Sequence, residues 1–188
     1  MTALSTLYEY LCLLAVFGWL LSRLAGRLLP GGAAEAAGLA AAGVLLALQW
    51  AVPQVALLAA IFAPVSGGVA LFAAADLGRG FGLRHRPRPA AELLTVLAAY
   101  LLYLAAGLGV FAVDPHAAGY GGVPAAATAV ALGGYALVRR DTLLAAAVLL
   151  AQLVWLADIG SENLFDNLAG VLLVPALLVG LWRRARGR

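Results

Sequence analysis

Residues 152–167 read QLVWLADIGSENLFDN, the densest polar and acidic stretch in a chain that consists mostly of Ala, Leu, Val and Gly. The stretch leaves one apolar run, forms a short polar loop, and meets a final apolar run at Leu168. Apolar runs of membrane-crossing length on both sides of such a loop indicate two membrane helices with a turn at the membrane surface. If the protein has a functional site, we expect it at this turn.

The composition extends this pattern to the whole chain. The 188 residues are 64% hydrophobic and 11% charged, with a mean hydropathy of +0.99, whereas a soluble domain is about half apolar and about a quarter charged. Apolar runs of roughly 16 to 24 residues alternate with short polar breaks, and each run has the length of a helix that crosses the bilayer core. The two-residue alternation of a membrane barrel is not visible. The sequence therefore predicts an all-α polytopic membrane helix bundle of about seven transmembrane helices in one domain, residues 1–188.

The predicted spans differ in the residues that pack or break them. The runs lie at about 4–24, 33–50, 55–75, 89–113, 123–138, 142–157 and 168–182. In the second run, small residues recur every four positions in two rows: Gly38 and Ala42, and Ala33, Ala37 and Ala41. This spacing lets helix backbones approach closely in lipid. In the third run, Pro64 is followed by Ser66-Gly67-Gly68, which predicts a kink.

The distribution of arginine predicts the orientation. All twelve basic residues are arginine, and they fall in four segments: 23–32, 76–89, 139–141 and the tail after Trp182. With the N-terminus outside and about seven crossings, all four segments are cytoplasmic, as the positive-inside rule requires. Arg23 and Arg27 follow the first run rather than precede it, so we interpret this run as a retained helix and not a signal peptide. We expect a multi-pass protein of the bacterial inner membrane with its C-terminus in the cytoplasm.

The polar residues at the predicted outer ends of the helices form the candidate site. Few polar side chains fall in the middle of the predicted spans, whereas the outer ends carry carboxylates, amides and aromatic rings. The candidate residues are Asp114, His116, Tyr120, Gln152, Trp155, Asp158, Glu162, Asn163 and Asp166.

Two interpretations of the carboxylates in this site stay open. Asp158, Glu162 and Asp166 recur every four residues, so they share one face if the sixth helix continues, and can then bind a hard cation or exchange a proton. Alternatively, Asp158 ends one helix and Asn163 or Asp166 caps the next, where such side chains stabilise a helix N-terminus.

The longest polar segment predicts a lipid contact. It carries four arginines: Arg79, Arg84, Arg86 and Arg88. We expect these residues to contact anionic lipid headgroups at the cytoplasmic face. Nucleic acid is not an expected partner, because the predicted topology already accounts for the basic charge. His85 lies in this segment and His116 on the opposite side, so the pair does not form a zinc site, and we expect His116 to be solvated.

Several kinds of chemistry are excluded by what the sequence lacks. Without lysine there is no Schiff-base linkage to retinal or pyridoxal phosphate. Cys12 is the single cysteine, which rules out an internal disulfide and a CxxC redox pair. The HExxH, GxSxG, Walker and GxGxxG motifs are also missing. We therefore expect no cofactor, no metal and no catalytic residue of a known signature, which favours a protein that is not an enzyme.

Two loops carry a resemblance to a known family. They are Val113-Asp114-Pro115-His116 with Gly119-Tyr120-Gly121, and Glu162-Asn163-Leu164-Phe165-Asp166. Together they are similar to an uncharacterised family of small bacterial polytopic inner-membrane proteins. In that family an Asp-Pro-aromatic loop ends in Gly-Tyr, and an Asn-Leu-aromatic-Asp motif precedes the last helix. The present chain has His116 in place of the aromatic residue and Asn167 in place of a tyrosine.

The resemblance implies a placement rather than an activity. Both motifs fall on the predicted outer face, so Asp114, Tyr120, Asn163 and Asp166 are expected to meet in space. The family has no activity that can be carried over to this chain.

Three functions stay open. The first is a non-catalytic subunit or accessory protein of a larger membrane assembly, which contacts other membrane-protein subunits or a second copy of itself through small-residue helix faces. The second is a transporter or channel for a small solute or lipid, with a cavity lined by Pro64, Ser66, Gly67, Tyr100, Tyr103 and Gln152. The third is a membrane enzyme that uses Asp158, Glu162 or Asp166 at the outer face.

Overall fold

The computed structural model describes residues 3–62, 65–83, 88–112, 114–170 and 172–185. Throughout these ranges the regular structure is helical and no strand occurs, which confirms the predicted all-α class. The helices are α1 (Ala3–Ala25), α2 (Gly31–Leu48), α3 (Pro53–Phe62), α4 (Gly67–Gly78), α5 (Ala90–Gly107), α6 (Gly122–Arg139), α7 (Thr142–Leu156), α8 (Leu164–Leu168) and α9 (Leu173–Ala185). Two short 3-10 turns, Arg79–Phe81 and Ala117–Tyr120, follow α4 and precede α6.

Among the described residues, four helices are long and apolar enough to cross a membrane: α1, α2, α5 and α6. Alanine and leucine dominate them and are among the strongest helix formers. Helix α7 and the apolar part of α9 are shorter. Large apolar side chains such as Leu11, Leu102 and Leu153 are more than half exposed on these helices. Such surfaces are unfavourable in water and suit a lipid environment.

Small residues set the closest helix contact. Helix α1 packs against α2 and α4, α4 against α7, and α7 against α6 and α8, whereas α5 pairs with α9. A Cβ atom at Gly38 would lie 2.5 Å from the amide nitrogen of Ser22, so only glycine allows α1 and α2 to come this close. Gly38 and Ala42 are buried there, as their spacing predicts, whereas Ala33 and Ala41 of the second row are exposed.

The third apolar run forms two helices instead of one kinked helix. Helix α3 ends at Phe62 and α4 begins at Gly67; Pro64, the predicted cause of the kink, lies outside the described residues. Ser66 is the N-cap of α4, and its hydroxyl accepts a hydrogen bond from the Val69 amide at 3.2 Å. Ser66 therefore begins a new helix, α4, that is separate from α3.

The last apolar run is also interrupted, and this interruption contacts the one between α3 and α4. Helix α8 ends at Leu168 and α9 begins at Leu173. Between them, the Gly170 amide donates a second hydrogen bond to the Ser66 hydroxyl at 3.1 Å. A Cβ atom at Gly68 would overlap the Leu168 carbonyl. We call this contact between residues 65–68 and 168–170 the crossing.

Charged residues separate to opposite ends of the bundle. The acidic end carries Glu9, Asp114, Asp158, Glu162 and Asp166, and the arginine-rich end carries Arg23, Arg79, Arg88, Arg139 and the carboxylates that pair with them. The end of α2 returns to the start of α1 at the acidic end, where the rings of Tyr10 and Trp50 are 6.4 Å apart. The predicted site lies at the acidic end.

Candidate functional site

Asn163 holds together the two loops of the acidic end. Its side chain is fully buried and its Oδ1 atom accepts the Phe165 amide at 2.8 Å as the N-cap of α8. Its Nδ2 atom donates to the His116 carbonyl at 2.8 Å. Gly119 packs so closely on this amide that a Cβ atom would overlap it. The cap predicted at Asn163 or Asp166 is therefore formed by Asn163, and it also fixes the loop that precedes α6.

Asn167 and Ser161 form a second hydrogen-bonded contact at the acidic end. Neither residue is among the candidate site residues predicted from the sequence. Asn167 is 2% exposed. Its Oδ1 atom accepts the Ser161 amide at 2.9 Å, and its Nδ2 atom donates to the Ser161 carbonyl at 2.7 Å. Asn163 and Asn167 are the only asparagines of the chain. The sequence does contain a signal for this contact, namely two asparagines that are four residues apart in a chain with no other asparagine.

His116 and Asp166 form a partly exposed pair at the surface of the acidic end. Their Nε2 and Oδ2 atoms are 3.3 Å apart, and their side chains are 35% and 38% exposed. The same Asp166 oxygen accepts the Ser161 hydroxyl at 3.3 Å. The His116 amide donates to Asp114 Oδ1 at 2.9 Å. His116 is therefore not the freely solvated histidine expected from the sequence, since two aspartates hold it.

Aromatic rings cover the inner side of the pair. The Tyr103 ring stacks on Tyr100 at 5.9 Å, meets Phe165 edge-on at 5.8 Å, and lies 6.1 Å from the His116 ring. Tyr120 packs edge-on against His116 at 5.3 Å. We call these five residues the aromatic cluster. The resemblance implied that Asp114, Tyr120, Asn163 and Asp166 meet, and His116 is the residue that links them.

Two tyrosine hydroxyls of the cluster differ in their partners. The Tyr100 hydroxyl donates to the Ala169 carbonyl at 3.2 Å, which connects α5 to the crossing. The Tyr103 hydroxyl is buried and has no hydrogen-bond partner in the described part of the chain. An unpaired buried hydroxyl destabilises the fold unless a bound group satisfies it.

The remaining predicted residues lie around the cluster without joining it. The Trp155 indole donates to the Glu162 carbonyl at 2.8 Å, and Gln152 lies one turn earlier on α7, half-buried. Helix α7 ends at Leu156, and Asp158 follows in the left-handed region with φ of 53°. The helix therefore does not continue through Asp158, Glu162 and Asp166, and these carboxylates do not share one helical face.

At the arginine-rich end, Arg23 of α1 and Arg79 of the 3-10 turn after α4 meet two carboxylates. Asp76 accepts the Trp19 indole at 2.7 Å and pairs with Arg23, and its other oxygen lies 3.3 Å from Arg79. Glu35 is 7% exposed and lies 4.0 Å from Arg23. The network ties α1, α2 and α4 together, and only Arg79 keeps about half of its side chain exposed, at 47%.

A second network at this end uses Arg88. Its guanidinium lies 2.7 Å from Asp141, 3.8 Å from Glu92 and 4.5 Å from the centre of the Phe72 ring. Glu92 also pairs with Arg139 at 3.3 Å. Of the four predicted lipid contacts, Arg88 is thus neutralised within the chain, Arg79 is accessible, and Arg84 and Arg86 lie outside the described residues.

The described residues, 3–62, 65–83, 88–112, 114–170 and 172–185, contain no metal cluster. No group of three or more His, Cys, Asp or Glu side chains is placed to hold a metal ion there. The pocket between α6, α7 and α8 is apolar, is bordered by Thr128, Leu132 and Phe165, and has free space of about 10 Å³, on the order of one water molecule.

Comparisons of the chain with protein-family models, with curated proteins and with solved structures give no match.

Proposed function

We propose that the chain is a single-domain, multi-pass protein of the bacterial inner membrane with seven crossings and its N-terminus outside. Four full-length apolar helices support four of these crossings. Helix α7, at 15 residues, is about 22 Å long and would be the sixth. The interrupted pairs α3–α4 and α8–α9 would be the third and seventh. This arrangement keeps the acidic end outside and the arginine-rich end in the cytoplasm.

Its proposed role is that of a non-catalytic subunit of a larger membrane assembly. The observation that carries this proposal is the open face of helix α6. Ala127, Ala131 and Gly134 are exposed along it, and a Cβ atom at Gly134 would meet no atom within 4 Å. Lipid provides no hydrophobic drive for helix association, so close backbone packing on small residues is what joins membrane helices.

The test is purification of the tagged protein from native membranes in mild detergent, followed by mass spectrometry of the bound proteins. A stoichiometric membrane-protein partner, or a second copy of the chain, is the expected result. Ala131→Leu should reduce the recovered partner about ten-fold, a change that corresponds to ~1.4 kcal/mol. Ala98→Leu makes the same change at an exposed position of α5 and should leave recovery unchanged. A monomer that brings no partner from native membranes would rule out the subunit role.

A second candidate is a transporter or channel, and the crossing is the observation that favours it. Interrupted helices that meet inside a membrane expose backbone groups, and many transporters bind their substrate at such points. Here Ser66 and Tyr100, two residues of the predicted lining, bond to Gly170 and Ala169 across the crossing. Solute uptake into liposomes that does not change in Gln152→Ala and Tyr103→Phe would argue against this lining.

The membership in the small inner-membrane family and the contact of Arg79 with anionic headgroups are part of the same proposal. The lipid contact is supported by the accessible side chain of Arg79, which lies beside the exposed side chains of Phe81 and Leu83. An arginine flanked by apolar side chains suits the boundary between headgroups and acyl chains.

A further inference from the structure

We propose that a groove between α5 and α6 binds one acyl chain of an anionic phospholipid and places the lipid headgroup beside Arg140. The groove is the space bordered by Val96 and Ala99 of α5, Thr128 and Leu132 of α6, and Phe165 of α8. The proposal rests on the membrane location proposed above and not on the subunit role, because lipid binding can be measured on the isolated chain. It is carried by an open stretch on α5, by the apolar pocket opposite, and by the charge at one end of the groove.

One face of α5 is open in the middle, although both of its ends contact other parts of the chain. Four residues share this face because they follow one another at helical spacing: Glu92, Val96, Ala99 and Tyr103. The outer two make contacts with other helices, whereas Val96 is 40% exposed and Ala99 is also exposed. The packing partner of α5 is α9, which meets the neighbouring face that carries Leu93. The middle of the shared face therefore has no helix packed on it.

The apolar pocket between α6, α7 and α8 forms the opposite wall. Its lining comes from these three helices alone, and no side chain of α5 borders it. The enclosed part is about 10 Å³, but the empty space is about 200 Å³ when the open side is included. Thr128 is the one polar residue of the lining, and its hydroxyl donates to the Pro124 carbonyl of its own helix at 2.9 Å. Such a wall suits hydrocarbon rather than a polar solute.

The contacts at the two ends limit what the groove can hold. Glu92 pairs with Arg139 of α6 at 3.3 Å, and the Tyr103 ring lies 5.8 Å from the Phe165 ring. From Glu92 to Tyr103 the helix rises about 16 Å, which is about half of a bilayer core of ~30 Å and hence the depth of one leaflet. A helix is about 10 Å wide with its side chains and needs a seat that is open at both ends. A single acyl chain is narrow and flexible enough to lie between the two contacts.

The charge at the arginine-rich end of the groove favours an anionic headgroup. Arg140 follows the last residue of α6, is exposed, and forms no ion pair within the part of the chain that the structure describes. Its neighbours Arg88 and Arg139 are instead paired with Asp141 and Glu92. Arg140 therefore leaves a positive charge at this end, and an exposed arginine at the membrane surface attracts the phosphate of an anionic lipid.

Native mass spectrometry of the isolated chain tests the groove. The chain is delipidated in mild detergent and titrated with phosphatidylglycerol, and one lipid per chain should bind with saturation. Ala99→Phe places a ring in the groove and should weaken this binding about ten-fold. Ala98→Phe makes the same change on α5 at an exposed position outside the shared face and should bind as the parent does. No saturable binding, or equal effects of the two substitutions, would overturn the proposal.

A smaller substitution keeps this test decisive if Ala99→Phe does not fold. Ala99→Leu adds less volume at the same position and should weaken lipid binding less than the phenylalanine does, with Ala98→Leu as its control. Thermal unfolding in the same detergent shows which variants are folded. A folded Ala99→Leu variant with the lipid affinity of the parent would also overturn the proposal.

Two arginine variants test the position of the headgroup. Arg140→Asn removes the charge and keeps the turn, because asparagine readily adopts the left-handed conformation found at this residue, with φ of 53°. It should weaken phosphatidylglycerol binding about five-fold and leave phosphatidylcholine binding unchanged. Arg27→Asn removes an exposed charge from the same end of the bundle but away from the groove and should have no effect. Equal effects of the two variants would mean a general attraction and would overturn the assignment to Arg140.

A protein partner is the competing occupant, and the lipid titration separates it from the subunit role. If a partner helix covers the groove, the isolated chain should bind no lipid with saturation, and Ala99→Phe should reduce the partner recovered from native membranes. That result would overturn the lipid site and support the subunit role. A chain that binds one lipid but brings no partner would support the lipid site and rule out the subunit role.

Discussion

At the scale of single residues, the acidic end depends on side chains whose partners are distant in the sequence. Asn163 caps α8 and also donates to the His116 carbonyl, 47 residues away. The cap could be predicted from the sequence, because asparagine before a short helical segment is a common N-cap. The second bond could not, because it depends on where the loop before α6 lies in space. The candidate list therefore contained Asn163 and His116 but not their contact.

Gly119 gives the sharpest test of this contact. Gly119→Ala places a methyl group on the Asn163 side chain, so we expect the free energy of unfolding to fall by about 1–3 kcal/mol. Thermal unfolding in one detergent measures it. Gly133→Ala on α6 is the matched control, since a Cβ atom there meets nothing within 4 Å; it should be neutral or stabilising by up to about 1 kcal/mol. Equal effects of the two substitutions would contradict the packing of Gly119 on Asn163.

At the scale of helices, the third and last apolar runs behave alike although their sequences differ. Pro64 and Gly67-Gly68 indicated an irregularity in the third run, yet a kinked helix and two capped helices both satisfy that pattern. What separates the two outcomes is the Gly170 amide, which needs an acceptor and finds it in Ser66. Because this donor lies 104 residues from Ser66, local sequence does not indicate which outcome occurs.

Ser66→Ala tests the crossing. The substitution leaves the Val69 and Gly170 amides without the hydroxyl oxygen that both use, so we expect a loss of about 1–3 kcal/mol in the free energy of unfolding. Hydrogen exchange should become faster at both amides. Thr95→Ala removes an exposed hydroxyl that bonds only within its own helix and should change the stability by less than about 0.5 kcal/mol. Unchanged exchange at Gly170 would show that the crossing does not rely on Ser66.

Two glycines of α2 test the contact between α1 and α2. Gly38→Ala inserts a methyl group 2.5 Å from the Ser22 amide nitrogen, so the helices must separate. We expect a loss of about 1–3 kcal/mol in stability. Gly43→Ala lies on the same helix with nothing within 4 Å, and helix propensity should stabilise it by up to about 1 kcal/mol. The two melting temperatures should therefore move in opposite directions, and a shift in the same direction would refute the close approach.

At the scale of the whole molecule, composition predicted the helical class, but it did not predict which helices pack against each other. In water an apolar stripe shows which face of a helix is buried. In this chain apolar residues cover most faces, so no stripe distinguishes the α5 face that packs on α9 from the faces that remain exposed. Charge pairing was equally hidden. Arg88 was assigned to lipid because arginine clusters mark the cytoplasmic side, and its contact with Asp141 required the fold.

The separation of charge also makes the orientation testable. Cys12 is buried and is the single cysteine, so Cys12→Ser gives a background without thiols. In that background, Ala117→Cys adds an exposed thiol at the acidic end and Leu28→Cys adds one beside Arg27, and neither changes a charge. If the arginine-rich end is cytoplasmic, a membrane-impermeant maleimide should label Ala117→Cys in intact cells and Leu28→Cys only after permeabilisation. The proposed orientation rests on the positive-inside rule, so the reverse labelling would invert every crossing of the proposed topology. Labelling of both thiols in intact cells would place residues 28 and 117 on the same side, which contradicts the three crossings proposed between them: α2, α3–α4 and α5.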